Sequence, residues 1–238
     1  MKRKLIEYAK SLLNLVYPKQ CLYCQWDLLY QEEILCTHCR LRLPKVTFFH
    51  HHPSLKNIFF GRCDWQHGLL FLRMEKSGMV KSLLHDLKYR NHPELGTYLG
   101  KLWAKDCLLK MGDAPWDCIV PVPLHPKKQV KRGYNQCSVI AHGMSSILGI
   151  PVVENVLVRQ EAGMSQTFQS RWGRNNKASN PFAVRNEALL KGKRILVLDD
   201  VVTTGATLVY CYMALKEISG VQLSISAMAI PVHNRIVV

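Results

Sequence analysis

Residues 195 to 207 read Ile-Leu-Val-Leu-Asp-Asp-Val-Val-Thr-Thr-Gly-Ala-Thr, and no other stretch constrains the fold of this chain as tightly. The apolar run 195 to 198 suits a parallel strand buried on both faces, where neither side of the strand meets water. Asp199 and Asp200 follow at the carboxyl end of that strand, and Thr203, Thr204, Gly205, Ala206 and Thr207 then supply hydroxyls, small side chains and backbone N–H groups. A helical pattern begins at about Leu208. Strand, acidic pair, small hydroxylated loop and helix is the order in which an α/β fold places a ligand at the carboxyl edge of its sheet. The helix N-terminus favours a phosphate, Gly205 lets the backbone approach it, and the carboxylates accept from the hydroxyls of an adjoining polyol. The alternative is a strand followed by a helix capped by Asp200 or Thr203, although a cap rarely needs two carboxylates and several threonines together.

This stretch resembles the signature of the type I phosphoribosyltransferases, which bind phosphoribosyl pyrophosphate, at every position from the apolar run to Thr207. The resemblance implies that Asp199 and Asp200 hold the ribose 2- and 3-hydroxyls and that residues 203 to 207 hold the 5-phosphate.

The 238 residues can hold one large domain, or a domain and a small module, and 48% apolar residues mark the chain as globular. No stretch reaches the ~20 uninterrupted apolar residues of a membrane span. Residues 1 to 16 have the basic start and apolar positions of a signal peptide, but Glu7 and Lys10 interrupt them and no small-residue cleavage site comes after. An amphipathic helix packed on the chain after it, in a cytoplasmic protein, is the expectation. The net charge of +15 suits a polyanionic partner, either nucleic acid or a substrate with several phosphates; a solubilising surface is the plainer reading.

Nine cysteines without an export signal point to reduced thiols or metal ligands. Cys21 and Cys24 form one Cys-x-x-Cys pair, and Cys36 and Cys39 form a second after eleven intervening residues. Two such knuckles can close a tetrahedral Zn²⁺ site, as in a zinc ribbon, with no position left open for catalysis. His38 and the run of His50, His51 and His52 are read as polar linker, since the cysteine set is already complete.

Pro53 and Gly61 break a His-rich stretch and suggest a boundary, giving a helix, zinc ribbon and linker over 1–60 and a main domain over 61–238. Residues 65 to 73 read as a strand and 76 to 87 as a helix. Lys88 and Arg90 fall on a turn, and a second helical stretch runs to about Lys110. Residues 117 to 122 read as a short buried strand that must end at Pro121 or Pro123. Between it and a helix over 136 to 148, Lys127, Lys128, Lys131, Arg132 and Gly133 read as a mobile basic loop, able to close over a pyrophosphate or simply exposed. Residues 222 to 230 read as a last strand.

Leu87-Lys88-Tyr89, Val120-Pro121-Val122-Pro123-Leu124, Arg132-Gly133-Tyr134-Asn135-Gln136 and the late acidic pair occur in the order of the ComF family, which the chain resembles from about Val16 onward. The resemblance implies a type I phosphoribosyltransferase fold, a mostly parallel Rossmann-like sheet with helices on both faces and a small hood, preceded by a four-Cys zinc ribbon. It also implies a role in handling incoming single-stranded DNA, with competence helicase or recombination proteins as partners. Glu161, Gly163, Gln169 and Lys177 depart from the family pattern, whereas Gln166, Thr167, Arg171, Arg174 and Phe182 agree with it. These departures fall in the hood and bear on acceptor recognition.

In the enzyme reading, Mg²⁺ bridges pyrophosphate and ribose hydroxyls beside Asp199 and Asp200. The turn of Pro121, Val122, Pro123 and Leu124 presents N–H groups to the pyrophosphate, and the basic loop, Arg132 above all, covers it. A second reading is a non-catalytic binder of the same ligand that grips single-stranded DNA, with Trp103, Tyr134 and Trp172 as stacking surfaces. A scaffold of the competence machinery and a nucleobase phosphoribosyltransferase of nucleotide salvage remain as further alternatives.

Overall fold

Among the described residues six apolar runs form strands, and four of them pair into one parallel sheet. A computed structural model describes residues 18–46, 53–160 and 180–232. Strands β1 (Gly68–Met74), β2 (Cys118–Pro121), β5 (Arg194–Val201) and β6 (Gln222–Pro231) lie in the order β1-β6-β5-β2, while β3 (Leu157–Arg159) and β4 (Phe182–Val184) make a separate antiparallel ribbon. Every ladder of the four-stranded sheet is parallel, so all its carboxyl ends share one edge. Residues 69 to 72, 195 to 198 and most of β6 are buried, as strands covered on both faces must be. Ser226 sits fully buried in β6 because its hydroxyl donates to the Val197 carbonyl at 3.1 Å.

Seven α-helices accompany the strands among the described residues: α1 (Thr37–Leu41), α2 (Pro53–Phe59), α3 (Met79–Tyr89), α4 (Pro93–Met111), α5 (Pro126–Arg132), α6 (Gln136–Leu148) and α7 (Ala206–Leu215). α6 keeps to its expected limits, with Asn135 capping its start and Gly149 in the left-handed region at its end. The strand expected at 65 to 73 begins at Gly68, and the helix expected to stop at Leu87 continues to Tyr89, which puts Lys88 in its last turn rather than on a turn between helices. The basic loop is also a helix, α5. Pro126 stands in its first turn, and Gly133 ends it at φ +81°.

The segment ahead of β1 packs on the same core. Val46 donates its N–H to the Phe71 carbonyl and Arg73 donates to Pro44, so residues 44 to 46 extend the β1 edge antiparallel. The amphipathic helix expected over 1 to 16, the three histidines 50 to 52 and the hood positions 161 to 177 lie outside the described residues.

Helices α4 and α6 make the most intimate contact in the fold. A Cβ on Gly100 would fall 2.2 Å from the Ile140 carbonyl oxygen, and one on Gly143 would fall 2.2 Å from that of Thr97. Backbone thus meets backbone, with no flexible side chain able to yield. Gly143→Ala should therefore cost about 2 kcal/mol by overpacking, which lowers the melting temperature by about 4–8 °C for a chain of this size. An unchanged melt would show that the two helices have room between them.

Candidate active site and metal centre

The chain leaves β2 for Val152, which bridges Ile119 on the outer side of β2, and it leaves β5 for β6 on the opposite side. The carboxyl ends of β2 and β5 therefore flank a crevice at the point where strand order diverges, the place where open α/β sheets bind ligands. Asp199 and Asp200 close β5 on one side of it, and Pro121 closes β2 on the other, in register with Leu198.

The two carboxylates have different surroundings. Asp199 Oδ1 accepts from the Asp200 N–H at 2.8 Å and lies 3.8 Å from the buried Cys137 Sγ. Burial, then the charge of Asp200, push the Asp199 carboxyl from its ordinary value up to about 7, against the pull of the Asp200 N–H and of Lys88. Asp200 Oδ2 instead meets Lys88 Nζ at 2.8 Å, with both side chains mostly buried. Lys88 is held in place from behind. The Tyr134 hydroxyl donates to the Leu87 carbonyl, and the Arg132 guanidinium lies over the Tyr89 ring, 5.0 Å from its centre.

The threonine loop is not a helix cap. Gly205 is the N-cap of α7, with φ +72° and no side-chain cap bond, so neither Asp200 nor Thr203 fills that role. Thr203 and Thr204 are exposed, while Ala206 and Thr207 begin the helix itself. A Cβ on Gly205 would strike Ile58 Cγ2 at 2.5 Å and Phe59 Cε1 at 2.7 Å. Glycine here meets both the left-handed backbone and the α2 side chains. Arg62 completes the support, donating to the Thr204 carbonyl at 2.9 Å and the Ile58 carbonyl at 3.2 Å. Sequence reasoning had no signal for this clamp beyond an unexplained arginine after a glycine.

On the β2 side the expected row of N–H donors is thin. Pro121 and Pro123 have none, and the Val122 N–H is taken by the Leu198 carbonyl at 2.8 Å. Leu124 alone of these four residues keeps its N–H out of the backbone pairing among the described residues. Asn135 binds the turn to α6, donating from Nδ2 to the Val122 carbonyl at 3.0 Å and accepting from the Cys137 N–H at 3.1 Å. Lys127, Lys128 and Lys131 stand exposed along α5, and Arg132 is turned toward Tyr89. Of the stacking candidates, Trp103 is fully buried against Phe71 and cannot reach a base; Trp172 lies outside the described residues.

The four cysteines do converge. The sulfurs of Cys21, Cys24, Cys36 and Cys39 lie within 4.8 Å of one another, and those of Cys24 and Cys36 are 3.7 Å apart. A tetrahedron with metal–sulfur bonds of about 2.3 Å has edges of about 3.8 Å, so the set fits a metal ion such as zinc. Burial works against the Cys21 thiolate, yet the N–H groups of Cys24, Cys36 and Tyr23 bring its pKa down to about 7; in Cys39, burial and the neighbouring thiols push the other way. Cys21 Sγ accepts from the Cys36 N–H at 3.3 Å, and Cys36 Sγ from the Cys39 N–H at 3.4 Å. The described helices include none long and apolar enough to cross a membrane.

This geometry has two measurable outcomes. A carboxyl raised to about 7 keeps a proton in the folded chain that the unfolded chain has already lost, so its contribution to stability declines as pH rises from about 4 to 7 and levels off above. Urea unfolding from pH 5 to 8 should show that decline, and Asp199→Asn should flatten it; a slope shared by both proteins would place the proton elsewhere. For the cysteine cluster, atomic emission should find one metal ion per chain, lost in Cys21→Ser. Full metal content in that variant would remove Cys21 from the ligand set.

Residues 135–230 match a family model described as Phosphoribosyl transferase domain. The chain is 28% identical over 208 residues to DNA utilization protein YhgH of Salmonella typhi, covering 81% of this chain and 88% of that one. It is 24% identical over 207 residues to Competence protein F of Haemophilus influenzae, covering 79% and 87%. Among solved structures, adenine phosphoribosyltransferase of Saccharomyces cerevisiae aligns with 60% of this chain and 72% of its own, at 15% identity and a TM-score of 0.40. The chain thus carries a type I phosphoribosyltransferase domain behind a four-cysteine cluster, and its homologues include Competence protein F and DNA utilization protein YhgH.

Proposed function

We propose that this protein binds phosphoribosyl pyrophosphate with Mg²⁺ in the crevice between β2 and β5 and acts on single-stranded DNA during DNA uptake in the cytoplasm. The observation that carries the first half is the uncapped loop 203 to 205 beside a carboxylate pair that the helix does not use. Hydroxylated loop and helix start suit a phosphate, and the adjacent carboxylates suit vicinal hydroxyls. The names of the relatives, Competence protein F and DNA utilization protein, support the second half, together with the charge of +15. In this reading residues 1–60 are the metal module with its linker and 61–238 the transferase domain.

Asp199 and Asp200 are hard oxygen donors that fit Mg²⁺ directly or through its water, and the ion would screen the pyrophosphate as charge develops on it. The remaining work falls to the chain. The loop of Thr203, Thr204, Gly205, Ala206 and Thr207 holds the 5-phosphate as a remote handle, whose binding energy orients the reacting carbon. Lys88 neutralises Asp200 until the ligand arrives, and its ammonium is then free for the pyrophosphate. Lys127, Lys128 and Lys131 add positive potential from α5, while Arg132, through Tyr89, steadies the helix that carries Lys88. These cations and the loop need no covalent nucleophile from the protein.

Calorimetry with phosphoribosyl pyrophosphate and Mg²⁺ should show saturable binding that Asp199→Ala/Asp200→Ala reduces by at least about tenfold, the ~1.4 kcal/mol or more expected for hydrogen bonds to charged groups. The melting temperature should stay near that of the parent. Undiminished binding in the double variant would overturn the assignment. Pyrophosphate release on adding a base or an oligonucleotide would extend the reading from binding to transfer.

A further inference from the structure

A cavity of about 420 Å³ separates the four-cysteine module from the sheet, and no part of the proposed phosphoribosyl site uses it. Tyr23, His38 and Arg42 of the module line one side, and Arg73 and Glu75, at the carboxyl end of β1, line the other. Glu75 is the single carboxylate in the lining. Arg42 and Arg73 are exposed, and among the described residues neither guanidinium has an ion pair or a side-chain hydrogen bond. Two unpaired guanidinium groups and an aromatic ring that is 40% exposed thus line a space between the module and the end of β1. Arginines matched to phosphate and a flat ring matched to a base are the two components of single-strand recognition.

The position fits as well. Because the sheet is parallel, Arg73 lies toward the same edge as Asp199, two strands (about 10 Å) across the sheet and three residues farther along, since it pairs with Ile230 and Asp199 with Ala227. Helix α3 joins the two places: its first turn, at Met79 and Val80, walls the cavity, and its last turn delivers Lys88 to Asp200. A strand lying along this edge would pass from the cavity toward the acidic pair.

We propose that this cavity seats a nucleotide of single-stranded nucleic acid, with its base on Tyr23 and its phosphate between Arg42 and Arg73. The proposal rests on the reading of the protein as a single-strand binder and assigns that role a place. An acidic peptide would also meet the arginines, but it has no use for the ring.

The test is fluorescence anisotropy of full-length, metal-loaded protein with labelled (dT)20 across a salt series. Arg42→Ala/Arg73→Ala should flatten the slope of log K against log salt by about 0.7, the contribution of one neutralised phosphate on a single strand. Tyr23→Ala should weaken binding about tenfold at every salt concentration, because stacking does not depend on counterions. Metal content and melting temperature identify any variant that has lost the module, and Lys105→Ala, on the exposed side of α4, controls for charge alone. If the parent binds (dT)20 and both cavity variants bind it with parent affinity and slope, the site is wrong although the single-strand reading survives. If the parent fails to bind even at low salt, that reading falls and this site falls with it. Competition by poly-glutamate as effective as by (dT)20, with Tyr23→Ala unaffected, would make the occupant an acidic protein segment and overturn the proposal. Equal affinity for dTMP and (dT)20 would do the same in favour of a free nucleotide.

Discussion

Two carboxylates on consecutive residues repel each other, and the end of a buried strand is a poor place to keep them both charged. The fold answers by giving them unlike neighbours. Asp199 turns inward beside Cys137 and favours its proton; Asp200 turns to the ammonium of Lys88. Pairs of acids whose surroundings differ in this way are characteristic of sites that divide labour between them. Much of the surrounding structure serves this division. α6 supplies Cys137, its Asn135 cap holds the β2 turn, and Tyr134 and Arg132 brace the end of α3 from which Lys88 reaches across.

The parts of this arrangement legible in the sequence were those with local signatures. The apolar run, the acidic pair and the threonine loop are contiguous, and strand, edge and helix appeared where they were expected. The paired Cys-x-x-Cys spacing likewise predicted a cluster that the structure closes to within 4.8 Å. What stayed hidden depends on tertiary contact. Lys88 read as a turn residue with no assigned contact, because nothing within its helix reveals an acid more than a hundred positions later. The contact of Arg62 with the Thr204 carbonyl was hidden for the same reason. Two other features differ from expectation although their local signals lie in the sequence. Pro126 and Gly133 are the start and stop signals of α5, yet the density of lysines suggested a loop. The N–H donors assigned to the turn after β2 were already limited by its two prolines, and the sheet claims the one between them.

The support of the threonine loop has a consequence for how the protein can be altered. Gly205 abuts Ile58 and Phe59, and Arg62 bonds the Thr204 carbonyl, so the floor of the loop is built by chain lying before the first strand of the sheet. Substitutions in α2 would therefore shift the place proposed for a phosphate without touching the ligand.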